Sequence, residues 1–172
     1  DQPQFRNKCD FSKLSHQDWS FLLSYQPSFA DICDFSKFNG NDWGWLLSDQ
    51  PQFKNKCDFS KLSHWNWSCL LCSQPSFADM CDFSKFDSNS WADLLYHRPE
   101  FANRCNFQKL NKKDLIYILS AQPQMVEKYN SDVLTQFDGD DWCWLLSDQP
   151  QYRNKCDFSK LSHKNWRSLL CN

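Results

Sequence analysis

The 172-residue chain predicts an all-α fold, a right-handed helical solenoid of seven repeats of about 24 residues. Three observations carry that expectation. Every proline of the chain falls on one clock, at Pro3, Pro27, Pro51, Pro75, Pro99, Pro123 and Pro150, with a step of 24 residues five times and then 27. The tryptophans Trp19, Trp43, Trp67, Trp91, Trp142 and Trp166 keep the same clock, and Leu115 takes the fifth place. Only 3 glycines are available, which leaves little of the turn chemistry that an all-β chain needs.

Each repeat predicts one α-helix and one shorter α or 3-10 element. The helix opens on Ser15, Asn39, Ser63, Asp87, Asn111, Asp138 or Ser162, all residue types that accept a hydrogen bond from the first free amides of a helix. Three residues on stand Asp18, Asp42, Asn66, Ser90, Asp114, Asp141 and Asn165, a capping box with a shorter side chain in place of glutamate. Trp19, Leu22 and Leu23, at i, i+3 and i+4, define one apolar face. The Gln-Pro pair ends the helix, because proline disfavours the helical conformation in the residue before it. The same proline suits the first turn of the next element. On that second element Phe5 and Cys9, at i and i+4, share a face, and the Asp10–Leu14 stretch turns the chain back with Phe11 and Leu14 inward. A unit this small cannot bury its apolar face alone, so neighbours must stack. The three extra residues of the sixth repeat fall within 130–136, and Leu115, Met125 and Tyr129 depart from their slots nearby. A bend or register shift is therefore expected around residues 122–137. The whole chain, 1–172, reads as a single solenoid domain. Because Asp1 falls mid-pattern, it reads as a slice of a longer array or a processed product.

The period and the helix closing on an amide-proline pair resemble the leucine-rich-variant class of bacterial solenoids, which alternate α and 3-10 helices. The resemblance covers the whole chain in period and element order. The block W-x2-LL-x2-QP-x-F-x3-CDFSKL is not that family's usual repeat, and is similar instead to tandem repeats of bacterial proteins. What the resemblance implies is fold, with no activity attached.

Composition narrows the function. Net charge is −2 and charged residues make up 23%, so the chain is neither polybasic nor an acidic tail. No run approaches a membrane span. The histidines His16, His64 and His163 share one repeat slot and do not converge with His97. With no Gly-rich phosphate loop and no unique nucleophile–base set, the sequence predicts no catalytic residue, no cofactor and no enzyme.

Six cysteines, Cys9, Cys33, Cys57, Cys81, Cys105 and Cys156, hold one slot. Stacked helices lie ~8–10 Å apart, beyond the ~7 Å between Cα atoms that a disulfide tolerates. Zinc would need clustered pairs, and the only C-x2-C is Cys69–Cys72. The expected role is a small buried apolar side chain, with no metal bound. Unpaired thiols favour a reducing, cytoplasmic location. Cys69, Cys72, Cys143 and Cys171, off that ladder, are expected to be the exposed and oxidisable ones.

A lysine ladder, Lys13, Lys37, Lys61, Lys85, Lys109 and Lys160, could follow a phosphate backbone. The aspartates three residues earlier favour solvated ion pairs, each worth little, and disfavour nucleic acid. The informative contrast lies between repeats. Scaffold slots barely change, whereas the two slots after each Trp vary and are expected to point away from the core. Phe21, Trp45, Asp93, Tyr117 and Trp144 occupy the second of these. They either touch the next repeat's helix or anchor a partner. The function expected is a non-enzymatic scaffold binding a protein partner through these positions. The alternatives are a self-associating, filament-forming repeat protein and nucleic-acid binding along the lysines.

Overall fold

The computed structural model describes residues 8–128 and 134–171. Among them are seven α-helices and no strand: α1 His16–Tyr25, α2 Gly40–Asp49, α3 His64–Ser73, α4 Ser88–His97, α5 Lys112–Ala121, α6 Gly139–Asp148 and α7 His163–Cys171. A 3-10 segment beginning at the repeat proline follows each of the first six, as in Pro51–Lys56 and Pro75–Met80. A second, three-residue 3-10 turn precedes each helix except α6, as in Phe35–Lys37 and Phe107–Lys109. The chain divides into two compact units, Asp1–Asp82 and Phe83–Asn172. Within each, helices pack on their sequence neighbours: α1 on α2 on α3 in the first, and α4 on α5 on α6 on α7 in the second. The protein is an all-helical repeat protein with the order of elements its prolines and tryptophans predict.

Local chemistry sets the borders of the helices. Ser15 Oγ accepts from Asp18 N at 3.2 Å while Asp18 Oδ2 accepts from Ser15 N at 2.9 Å, which closes the capping box. The same reciprocal box closes at Asn39/Asp42, Ser63/Asn66 and Asp138/Asp141. At the other end Gln26 leaves the helical region (φ −134°, ψ 70°) ahead of its proline, and its amide donates to Leu22 O. Asp34 caps the small turn by accepting from Ser36 N at 3.1 Å and Ser36 Oγ at 2.6 Å. The bond from the serine hydroxyl, and then that from its amide, hold the Asp34 carboxyl below its usual range.

The core is built from the invariant slots. Trp43, Trp91 and Trp142 are fully buried, as are the leucine pairs Leu46/Leu47, Leu70/Leu71 and Leu94/Leu95. Trp43 and Trp91 are each covered by the phenylalanine of their own small turn: Phe35 stacks on Trp43 at 5.4 Å and Phe83 on Trp91 at 5.3 Å. That phenylalanine is a half-exposed lid; the residue three positions on, Phe38, Leu62 or Phe86, is the one fully inside.

The second element corrects one sequence expectation. It is a 3-10 segment, and Cys57 is its extended C-cap (φ −78°, ψ 133°). At three residues per turn, positions i and i+4 no longer share a face. Phe53 is buried, but Cys33, Cys57, Cys105 and Cys156 are half-buried and Cys9 is exposed. They flank the core rather than plug it. Burial still pushes the Cys33 thiol up to about 11 and those of Cys57 and Cys105 up to about 12. Off the ladder, Cys69 and Cys171 are exposed as expected, but Cys143 is buried and donates toward Asn165 O at 3.6 Å.

The register is kept across the sixth-repeat insertion. Gln149 Nε2 donates to Ser120 O at 2.5 Å, as Gln50 and Gln74 do to Ser24 O and Ser48 O at 2.6 and 2.8 Å. Tyr152 replaces the usual phenylalanine there. Its buried hydroxyl donates to Leu119 O at 3.0 Å or Pro123 O at 3.1 Å, and its burial raises the phenol's pKa. Tyr129 and the rest of the expected irregularity, at 129–133, lie outside the described residues.

Candidate functional site

The two slots after each Trp separate sharply. Within each unit the first faces the next helix. Ser20, Ser68, Ala92, Ile116 and Cys143 are all buried there, against the expectation that both slots point outward. Ser20 Oγ donates to Asp42 O on the neighbouring helix at 2.9 Å. A Cβ placed on Gly44 would meet Asn66 Cβ at 3.8 Å. Apart from Ile116, these side chains are small because two helices approach over them. The physical reason is angular: at 3.6 residues per turn, the first position after Trp lies on the flank of the apolar face and the second lies opposite it.

The second slot is open. Phe21 is 69% exposed, Trp45 73%, Trp144 48% and Tyr117 43%. Asp93 is half-buried, and His97 Nε2 on the same helix lies 3.8 Å from its carboxylate. Other aromatics join them. In the first unit Tyr25 is 70% exposed and its ring lies 4.9 Å from that of Phe21. In the second, Tyr96 stacks on Tyr117 at 4.4 Å and 14°.

Two grooves open between successive helices of the first unit. One, of ≈ 550 Å³, runs between α1 and α2 and is lined by Phe21, Tyr25, Trp45, Gln17, Asn41 and Asp49. The next, of ≈ 200 Å³, lies between α2 and α3 and shares Trp45, Asn41 and Asp49 with the first. Trp65, 51% exposed, lines its far side. Sequence reasoning passed over Trp65 and Asp49. The signal for Trp65 was present: its slot is otherwise polar, with Gln17, Asn41, Asn89, Lys113, Asp140 and Lys164.

A polar ladder runs along the helix starts. His16 Nδ1 lies 2.8 Å from Oδ2 of Asp42, which is buried and also closes its own capping box. A carboxylate only accepts, so this ring nitrogen carries the proton. Ser88 donates to Asp114, and Lys112 Nζ lies 2.8 and 2.7 Å from the carboxylates of Asp138 and Asp141. Where the first helical residue is Gly40 or Gly139, the chemistry inverts: Asn66 Nδ2 donates to Asn41 Oδ1 at 2.7 Å, and Asn165 Nδ2 to Asp140 Oδ1 at 2.6 Å. The donors His16, Ser88 and Lys112 thus meet aspartate in the next repeat, and a glycine followed by an acceptor meets asparagine.

The lysine ladder is partly structural. Lys13 and Lys37 pair with Asp10 and Asp34 at 3.6 and 3.7 Å, as the spacing predicts. Lys61 instead donates to Ser36 O and Phe38 O of the preceding repeat at 3.0 and 2.7 Å, and Lys160 to Thr135 O and Phe137 O at 2.7 Å each. Lys109 donates to Ser84 O at 2.9 Å. Among the described residues, no group of three or more His, Cys, Asp or Glu is placed to hold a metal ion, and no helix is long and apolar enough to cross a membrane.

No family model, curated protein or solved structure matches the chain. The likeness to α/3-10 solenoids therefore rests on the repeat plan itself.

Proposed function

We propose that this is a non-enzymatic scaffold that binds a protein partner through the open slot beside each repeat tryptophan, in a reducing compartment such as the cytoplasm. The observation that supports it most is the exposure of Phe21, Trp45, Tyr117 and Trp144 at one repeat position, while the position just before it is buried. Large aromatics held rigidly on helices give contact area at small entropic cost, which is why they anchor interfaces. The carbonyl partners of Lys61, Lys109 and Lys160 weigh against a free phosphate-binding stripe. The half-buried thiols of Cys33, Cys57, Cys105 and Cys156 form no disulfide, which supports a location where thiols stay reduced.

Photo-crosslinking tests the surface. A crosslinking residue at position 21 or 144, in cells that produce the protein, should capture one identifiable partner. The same residue at position 54, on the 3-10 segment Pro51–Lys56 and outside both grooves, should not. With the crosslinker at position 21, Trp45→Ala with Trp144→Ala should abolish the capture and shift Tm by less than about 2 °C. Equal capture from position 54, or a Tm loss of several degrees, would overturn the reading.

A further inference from the structure

We infer that the paired grooves of the first unit take an extended basic peptide, with arginine or lysine side chains three residues apart entering successive grooves. The inference deepens the partner surface proposed above and rests on it. Charge is the first support. Helices α1, α2 and α3 contain no lysine or arginine, whereas Lys13, Lys37, Lys54, Lys56 and Lys61 all lie on the 3-10 segments. The groove side therefore offers a cation attraction without a competing protein cation. The lining chemistry is the second. Phe21 and Tyr25 meet at 53° across 4.9 Å, forming an aromatic corner, and Trp45 supplies a further wall. Ring faces attract cations, guanidinium most often. The exposed Asp49 lines both grooves, which share its carboxylate as an acceptor. Gln17 and Asn41 add neutral hydrogen-bonding groups to the first.

Spacing is the third support. Neighbouring packed helices lie ~8–10 Å apart. A polyproline II strand rises ~3.1 Å per residue with three residues per turn, so every third side chain returns to the same side after ~9.3 Å. A β-strand repeats its side chains after ~6.6 Å and would fall out of step. The occupant that fits is thus a proline-rich strand with a basic residue at every third position, lying across the helices.

Three fluorescent peptides in one proline-rich frame test this, carrying arginine, leucine or glutamate at every third position. Anisotropy is read at ~0.15 M salt, where long-range attraction is screened beyond ~8 Å. The arginine peptide should bind at least about tenfold more tightly than the others, and Trp45→Ala and Asp49→Asn should each weaken it about five- to tenfold. Both residues are exposed, so the variants keep their fold, which circular dichroism verifies. If the leucine peptide binds as well and is lost with Trp45→Ala, the basic-peptide inference fails and the partner surface stands. If no peptide responds to Trp45→Ala, the basic-peptide inference fails, and the crosslinking from position 21 decides the partner surface separately. A fourth peptide, with arginine at every second position, should bind more weakly; equal binding overturns the three-residue register.

Discussion

Gly40 and Gly44 sit on one helix and answer to different constraints. A Cβ on Gly40 would run into Lys61 O of the next repeat and lie 2.7 Å from Asn66 Oδ1. Gly139 is held in the same way against Lys160 O and Asn165 Oδ1. At Gly44 the nearest neighbour atoms stand at 3.8 Å, and other repeats place Ser20, Ser68 or Ala92 in that slot. Gly40→Ala should therefore destabilise by about 1–3 kcal/mol through overpacking. Gly44→Ala should stabilise by roughly 0.5–1 kcal/mol by relieving the cost of glycine inside a helix. Chemical denaturation of the two variants checks the pair; equal effects would show that the contact at Lys61 O does not control the approach.

The 3-10 segment explains what its cysteine does. As an extended cap, Cys57 is drawn partly out of solvent without becoming core. Burial favours the neutral thiol, so the folded-state pKa lies above the unfolded value of 9.0 and reaches about 12 for Cys57 and Cys105. As pH rises, the unfolded chain loses these protons first. The stabilisation is thus complete below the unfolded pKa and is lost as pH climbs from about 9 to about 12. Tm should fall more steeply over pH 9–11 in the wild type than in Cys57→Ala/Cys105→Ala, measured in reductant. Parallel slopes would remove the thiols from the account. The ordinary lysine and tyrosine titrations act on both proteins and cancel in the comparison.

Across the chain, repeat order is written in the residues at the helix starts. Deleting 99–122 would bring Ser88 against Asp141, a hydroxyl against a carboxylate, as Ser88 now stands with Asp114. Deleting 123–149 would bring Lys112 against Asn165 and remove Asp140, the acceptor of its Nδ2. Each deletion removes one repeat and leaves an X-Pro junction. The second should nevertheless cost about 1–3 kcal/mol more, because it strands a buried polar group. Thermal melting of both deletions measures the difference, and equal melting points would show that the ladder does not set repeat order.

Much of this was legible in the chain because repetition supplies its own comparison. Cap residues at one spacing and prolines at another bound the first six helices, and the buried Trp and Leu-Leu slots are the ones that vary least. The first slot after Trp misled because its residues differ in type while agreeing in size. Ser20, Gly44, Ser68, Ala92 and Cys143 read as free variation until a second helix lies across them. The ladder lysines misled in the opposite sense: their spacing to aspartate is local, but the acceptors of Lys61, Lys109 and Lys160 stand 23 to 25 residues earlier. Trp65 and Asp49 gain meaning only once a groove exists between two helices.

The sequence by itself determined where each helix begins and ends and which side of it is apolar. Capping, proline and a 3.6-residue period act within a few residues and need no neighbour. Only the tertiary structure decided which variable slot is open, which polar side chain meets which, and that aromatic rings and a carboxylate line shared grooves. Those outcomes depend on how closely one repeat approaches the next, and the groups that meet are 22 to 33 residues apart in the chain.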